Sequence, residues 1–342
     1  MSVPLFDEEL FYGMPQWAKD GFLNLSKEMI NWSKLCSNEN ALDLIEARKD
    51  LIDWRELSRN RNPRAIKLLS ENVDLIDWTM LMTNPSAIDL IKEHPHKINW
   101  SLVSTNPSAV ELLSENPTRI NWGTISINTN PQAIELLENH VIKSRAIELL
   151  DSDTLKTNPK PRFIDCVNLR WNLLSGNPAA IHMLERNRDR IQWDELSANP
   201  NAMHLLLANQ DKIDWQRLSG NPSAIDLLED NKHKIHWREL SGNPCGIKLL
   251  ERNIQHIDWQ VLSRNPGAMA LLGQYPDRVV WYDLVGNPSL FRRIAKSPFC
   301  KIRDHVAKRI NNVNVYDVGI FMAAVLCYDI IVIMFARWYL LQ

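Results

Sequence analysis

The sequence predicts an all-α protein: a solenoid of about twelve 22-residue helix-turn-helix repeats, followed by a C-terminal transmembrane helix. Three observations predict it. Tryptophan recurs at a fixed period, an Asn-Pro dipeptide recurs in register with it, and a long apolar run lies near the C-terminus.

Eleven of the thirteen tryptophans fall at Trp32, Trp54, Trp78, Trp100, Trp122, Trp171, Trp193, Trp215, Trp237, Trp259 and Trp281. They are 22 residues apart except for one interval of 24 and one of 49. A fixed period in this range marks a repeat array. The unit reads I-x-W-x-x-L-S-x-N-P-x-A-I-x-L-L-x-x-N and is clearest from Ile213 and Ile235. Two residues are inserted before Asn62 and again before Asn130. The long gap holds a degenerate copy that keeps Asn158-Pro159 but has Ser152 in place of the tryptophan, and the first copy has Asn38-Glu39 in place of Asn-Pro.

Each element of the unit follows from its residues. Asparagine is a favoured helix N-cap, and proline in the first turn has φ preset and no donor to lose. Asn84, Asn106, Asn177, Asn199, Asn221, Asn243 and Asn265 are therefore read as caps. The following A-I-x-L-L spaces apolar residues as one helical stripe, predicting a helix of about three turns ended by Asn231 in a left-handed C-cap. A shorter helix precedes it, with Trp215 and Leu218 on one face and Asp214 as cap; Asp53, Asp77, Asn99, Asn121 and Asp258 hold that place elsewhere. Neither helix hides its apolar face alone, so units must stack. At 8–10 Å per helix, twelve units make a rod on the order of 100 Å long. A leucine-rich repeat is the competing fold, but Arg217 and Glu239 interrupt the strand it needs. Trp54, Trp78, Trp100, Trp122, Trp193, Trp215, Trp237, Trp259 and Trp281 are predicted core knobs rather than base-stacking platforms. Truncating one is expected to cost about 3–5 kcal/mol.

The organisation is then a lead-in or cap over 1–29, a repeat stack over 30–139 and a degenerate joint over 140–170. A second stack covers 171–291, a basic segment 292–314 and an anchor 315–342. The joint is either a kink or a boundary between two stacks.

Val318 to Ala336 is a nineteen-residue apolar run with one charge, Asp329. That length crosses about 30 Å of hydrocarbon at 1.5 Å per residue. Tyr316, Trp338 and Tyr339 flank it like interfacial anchors; a buried core helix is the alternative. Arg292, Arg293, Lys296, Lys301, Arg303, Lys308 and Arg309 precede it against Asp304 alone. They place the repeats on the cytoplasmic side and favour anionic lipid headgroups; a solvated helix capping the last repeat is the other reading. Gly319, Ala323 and Cys327 form a small-residue stripe suited to helix association, with Asp329 either bonded to a neighbour or a tolerated charge. The net charge of −2 thus averages an acidic repeat region with a basic C-terminal segment.

The five dispersed cysteines argue against a disulfide framework or a zinc cluster. No nucleotide-binding, metalloprotease or nucleophile-elbow motif occurs. His182, His204 and Asp226 share one repeat position, too far apart for a common metal. His233 and His236 fall in a linker and the next cap. No cofactor, small-molecule substrate or specific nucleic acid is expected; the partners are membrane lipids and other proteins.

The unit I-D-W-x-x-L-S-x-N-P-x-A-I-x-L-L-x-x-N resembles a repeat of uncharacterised proteins from giant double-stranded DNA viruses of algae and amoebae. The resemblance covers about three quarters of the chain. It implies a viral origin and a virion role, since such viruses enclose an internal membrane within a capsid. The expectation is a non-enzymatic, membrane-anchored scaffold, a minor capsid or capsid-to-membrane linking component. The alternative is an adaptor on the cytoplasmic face of a host-cell membrane, capturing a host or viral protein.

Overall fold

The computed structural model describes residues 14–23, 30–150 and 169–291, giving backbone alone at 23 and 143–150. Every described regular element is an α-helix or a 3₁₀ turn, and the elements alternate unit after unit. The contacts below lie within residues 1–292, which cluster as one unit.

The unit at Trp215 shows the pattern. Asp214 accepts the Arg217 N–H and caps the one-turn helix Trp215–Ser219. Asp53, Asp77, Asn99, Asn121 and Asp258 cap in the same way. After the Asn221-Pro222 turn, the helix Ile225–Asp230 buries Leu227 and Leu228. It is shorter than three turns. Asn231 ends it with φ −125° and ψ 46°, so it is not left-handed. Its side-chain amide instead donates to the Leu227 carbonyl at 2.9 Å, and a separate 3₁₀ turn, Lys232–Lys234, follows.

The core is a continuous band of the Leu, Ala and Leu-Leu positions, such as Leu218, Ala224 and Leu228, each at most 1% exposed. The tryptophans are half-buried and pack against this band from its margin. This corrects the expectation of tryptophan knobs at the centre. Each ring opens the first helix of its unit and covers the edge of the band.

What joins the units is asparagine. Asn221 is fully buried, and its amide donates to the carbonyls of Ser197 and Asn199 in the preceding unit, both at 3.0 Å. Its own oxygen accepts the Ser223 N–H at 2.9 Å, which forms the turn. The same rung is made by Asn60, Asn84, Asn106, Asn128, Asn177, Asn199, Asn243, Asn265 and Asn287. A second cross-bond comes from serine. The Ser219 hydroxyl donates to the Trp215 carbonyl and accepts the His236 N–H of the next unit.

Asn38 completes the series. Its amide donates to Val285 and Asn287 at 3.1 and 2.9 Å, so the first unit takes the place after the last. The stack is a closed ring, not the expected rod. Eleven rungs close it among the described residues; Asn158 of the degenerate copy, the expected twelfth, lies outside them. Asn177 bonds directly to Ser126 and Asn128, so the ladder runs unbroken across the joint. The insertions also assign differently: Asn60 and Asn128 hold the buried rungs, while Asn62 and Asn130 keep the capping role and each add one outer bond, to the carbonyls of Glu39 and Pro107 at 2.7 and 2.8 Å.

At the seam, the helix Gln16–Leu23 stands where the last unit needs its second helix. Trp17 meets Trp281 at 6.2 Å between centroids, and Phe22 meets Phe291 edge-on at 5.8 Å. A Cβ on Gly21 would fall 2.0 Å from the Trp281 ring, and one on Gly273 2.7 Å from Trp17 Nε1, so both positions require glycine. The eleventh unit is therefore built from both ends of the repeat region. First helices of successive units pack directly together, as Trp237–Gly242 does with Trp259–Arg264. On a closed ring, the more tightly spaced layer is the inner one. Eleven units at 8–10 Å give a circumference on the order of 100 Å.

Losing a rung strands two buried carbonyls, at about 1–3 kcal/mol each. Asn221→Asp keeps the shape but removes both donors and buries a charge against carbonyl oxygens. We expect it to lower the melting temperature more than Trp215→Ala, whose half-buried ring is worth less than the about 3–5 kcal/mol of a full core aromatic. Thermal denaturation of the two variants checks the order.

Candidate interaction surface

Because units stack in one orientation, the Asn-Pro turns share one edge of the ring and the 3₁₀ linkers share the other. The two edges differ in chemistry. From Thr83 to Ser289 the turn edge presents mostly small uncharged residues, with exposed Pro222, Ser223, Pro244, Cys245, Pro266 and Gly267; Arg264 is its charged exception and the exposed Ile127 its large one. The linker edge is densely charged, with Arg188, Asp189, Arg190, Asp211, Lys212, Lys232, Lys234, Asp277 and Arg278 in its 3₁₀ turns.

The tryptophans work at this charged edge. Lys212 lies 4.6 Å from the Trp193 ring centroid and Lys234 4.2 Å from that of Trp215. Arg119 lies over Trp100 at 6.0 Å, and His256 stacks on Trp237 at 4.6 Å. A cation over an indole face gains about 0.5–2 kcal/mol, depending on its exposure. These four rings thus hold the linkers of their own units in place. Trp54, Trp78, Trp122, Trp259 and Trp281 occupy equivalent half-buried positions.

The predicted caps Asn84, Asn177 and Asn199 cap 3₁₀ turns, while Asn106, Asn221, Asn243 and Asn265 form the same side-chain turn onto the N–H two residues on. Sequence reasoning found this half of their role and missed the amide that crosses to the next unit. The serine of L-S-x-N was missed as well, although its invariance across most units was the available signal. His204 and His182 pair with Glu185 and Glu138 of the preceding units, at 2.8 and 3.1 Å. Asp226 and His233 are exposed. Among the described residues no cluster has metal-binding composition. The basic segment from Arg292 to Arg309, and Gly319, Ala323, Cys327 and Asp329, lie outside the described residues. Among those that are described, no helix is long and apolar enough to cross a membrane.

Among the described residues, the seam carries the most buried charge. Asp283 is 1% exposed, ion-paired to Lys34 of the first unit and, at 2.8 Å, to Arg264 of the tenth. Both cations address Oδ1, and Oδ2 is left without a hydrogen bond. Burial pushes this carboxyl up, but the Lys34 ammonium and the Arg264 guanidinium together hold it below the usual range. Val285 stands here in place of the serine, so Asp283 replaces the missing cross-bond. Two other interfaces lack that bond: Met82 occupies one serine position, and at the joint the buried Ser126 hydroxyl has no partner. In the first unit Cys36 takes the serine's role, accepting the Asp53 N–H at 3.3 Å; burial, ahead of the other influences, lifts its thiol to about 11.

No protein-family model, curated protein or solved structure matches this chain.

A carboxyl with a depressed folded-state pKa stabilises fully above its unfolded value of about 3.9 and loses that contribution as pH falls through the folded value. We therefore expect Asp283→Asn to melt below the parent at pH 7. The gap should narrow as pH falls below about 4, where the carboxyl of the unfolded chain takes up its proton first, and close once pH passes below the lower folded-state value. Parallel melting curves across pH measure it; a gap independent of pH would remove the ion pair from the seam.

Proposed function

We propose that this chain is a non-enzymatic structural protein, a helical ring of fixed size held at a membrane by its C-terminal segment and serving as a platform for other proteins. The closed asparagine ladder carries this reading. Closure sets the number of units and leaves no free end for further units, so the ring has a defined diameter and two chemically distinct edges. The apolar run from Val318 to Ala336 and the basic residues before it support membrane attachment. In the giant-virus setting implied by the repeat, the ring is a minor virion component between the internal membrane and the capsid. It acts there as a compact spacer, since the ladder does not build a strut.

The contrast between the uncharged and the charged edge also favours an adaptor on the cytoplasmic face of a host-cell membrane, with one edge taking a partner. Copy number separates the two readings: a virion part is abundant in particles and an adaptor is not.

Fractionating purified particles before and after detergent is the test. The scaffold reading expects the chain in intact particles and its release, or co-release with capsid protein, on membrane extraction. Particles free of it would overturn the virion role. A truncation after Asn312 that still floats with membranes would overturn the anchor.

A further inference from the structure

The repeat provides an internal comparison that points to an anion site. The fifth residue after each tryptophan faces the second residue after the next one. In most units this pair is undemanding, as with Gly176 against Glu195 or Gly242 against Val261. In two units the first member is arginine. Arg264 donates through Nε to the Asp283 carboxylate at 2.8 Å. Arg59 sits in the equivalent place, but its Nε donates at 2.9 Å to the thioether of Met80, a weak acceptor. Its one ion pair among the described residues, to Glu56 of the preceding helix, is 3.7 Å long, beyond a good hydrogen bond.

A second guanidinium is brought to the same place. The two-residue insertion of this unit adds Arg61, which has no ion pair among the described residues. Arg59 and Arg61 line one cavity of about 440 Å³ with the hydroxyl-bearing Thr79 and Thr83, above Met80 and Leu102. Two forked donors and the Thr79 hydroxyl suit a tetrahedral oxyanion, for which arginine is the usual bidentate partner; the Thr83 hydroxyl donates to the Met80 carbonyl at 3.0 Å and shapes the wall. The apolar floor has room for an organic substituent, and the size falls within the range of small-ligand sites. The corresponding insertion at Thr129-Asn130 carries no arginine, and Ile127 replaces Arg59 there. The feature thus belongs to one place on the ring.

We infer that the groove formed by Arg59, Arg61, Thr79 and Thr83 binds a phosphomonoester, either a soluble one or a lipid headgroup. The site does not depend on the scaffold reading.

The experiment uses the full chain with two probes: glycerol 3-phosphate by titration calorimetry, and sedimentation with phosphatidylcholine vesicles made with and without phosphatidic acid. Arg61→Gln removes one guanidinium. Met80→Glu gives Arg59 the internal carboxylate that Arg264 already has, and it should keep the parental melting temperature. Each variant is expected to weaken binding about tenfold or more, the scale of one charge-assisted contact. Loss of glycerol 3-phosphate binding in both variants supports the site with a soluble ligand. Loss confined to the phosphatidic acid vesicles supports it with a lipid. Binding unchanged by either variant, or no binding of either probe by the parent chain, overturns the proposal.

Discussion

A buried asparagine amide that bridges two carbonyls of the neighbouring unit is the constraint on which the rest of the ring depends. No other side chain performs the task. Aspartate has no donor, serine has one, and glutamine is a methylene too long to form the turn onto the N–H two residues ahead. The position must satisfy carbonyls already turned away from water, and an unmade bond there costs more than a made one gains. This explains why the asparagine persists in every rung while its following proline is absent at Asn38, Asn60 and Asn128. The proline stiffens the turn; the amide joins the stack.

Closure follows from the shape of the unit. The first helix is one turn, whereas the second helix and its 3₁₀ linker occupy more of the chain, so each unit is a wedge. Wedges joined by equivalent bonds must curve, and eleven of them meet. Open repeat stacks need polar caps at both ends. Here each end covers the other, and the helix Gln16–Leu23 fills the place that would otherwise expose apolar surface. The seam is chemically the least regular interface, with Val285 for serine and Asp283 held between two cations, because its two sides come from opposite ends of the repeat region.

Much of this was legible in the sequence: the period, the capping residues, the apolar stripe and the helical class. Each is a local property that one unit displays on its own. The ring was not legible, because curvature is a small rotation per unit that no residue pattern states. The same limit hid the correct rungs. Asn62 and Asn130 carry the proline and looked like the repeat position, whereas Asn60 and Asn128 complete the ladder. The tryptophans mark the register faithfully, yet their periodicity says nothing about depth, and they lie at the margin under the linker cations. The candidate anion groove became visible only when Arg59 and Arg264 could be compared at equivalent places.

Ring and membrane segment divide the work in the proposed scaffold: the ladder sets size and rigidity, and the C-terminal sequence sets location. The two-edged platform presupposes that the first and last units meet. The most direct test places cysteines at Lys34 and Gly286 in a chain whose five native cysteines are serine. The Lys34 Cβ lies 3.4 Å from the position a Cβ on Gly286 would take, close to the about 3.5–4.5 Å of a disulfide. The closed ring predicts rapid, concentration-independent oxidation to a monomeric cross-linked species. Failure to oxidise, or cross-linking between chains alone, would contradict closure.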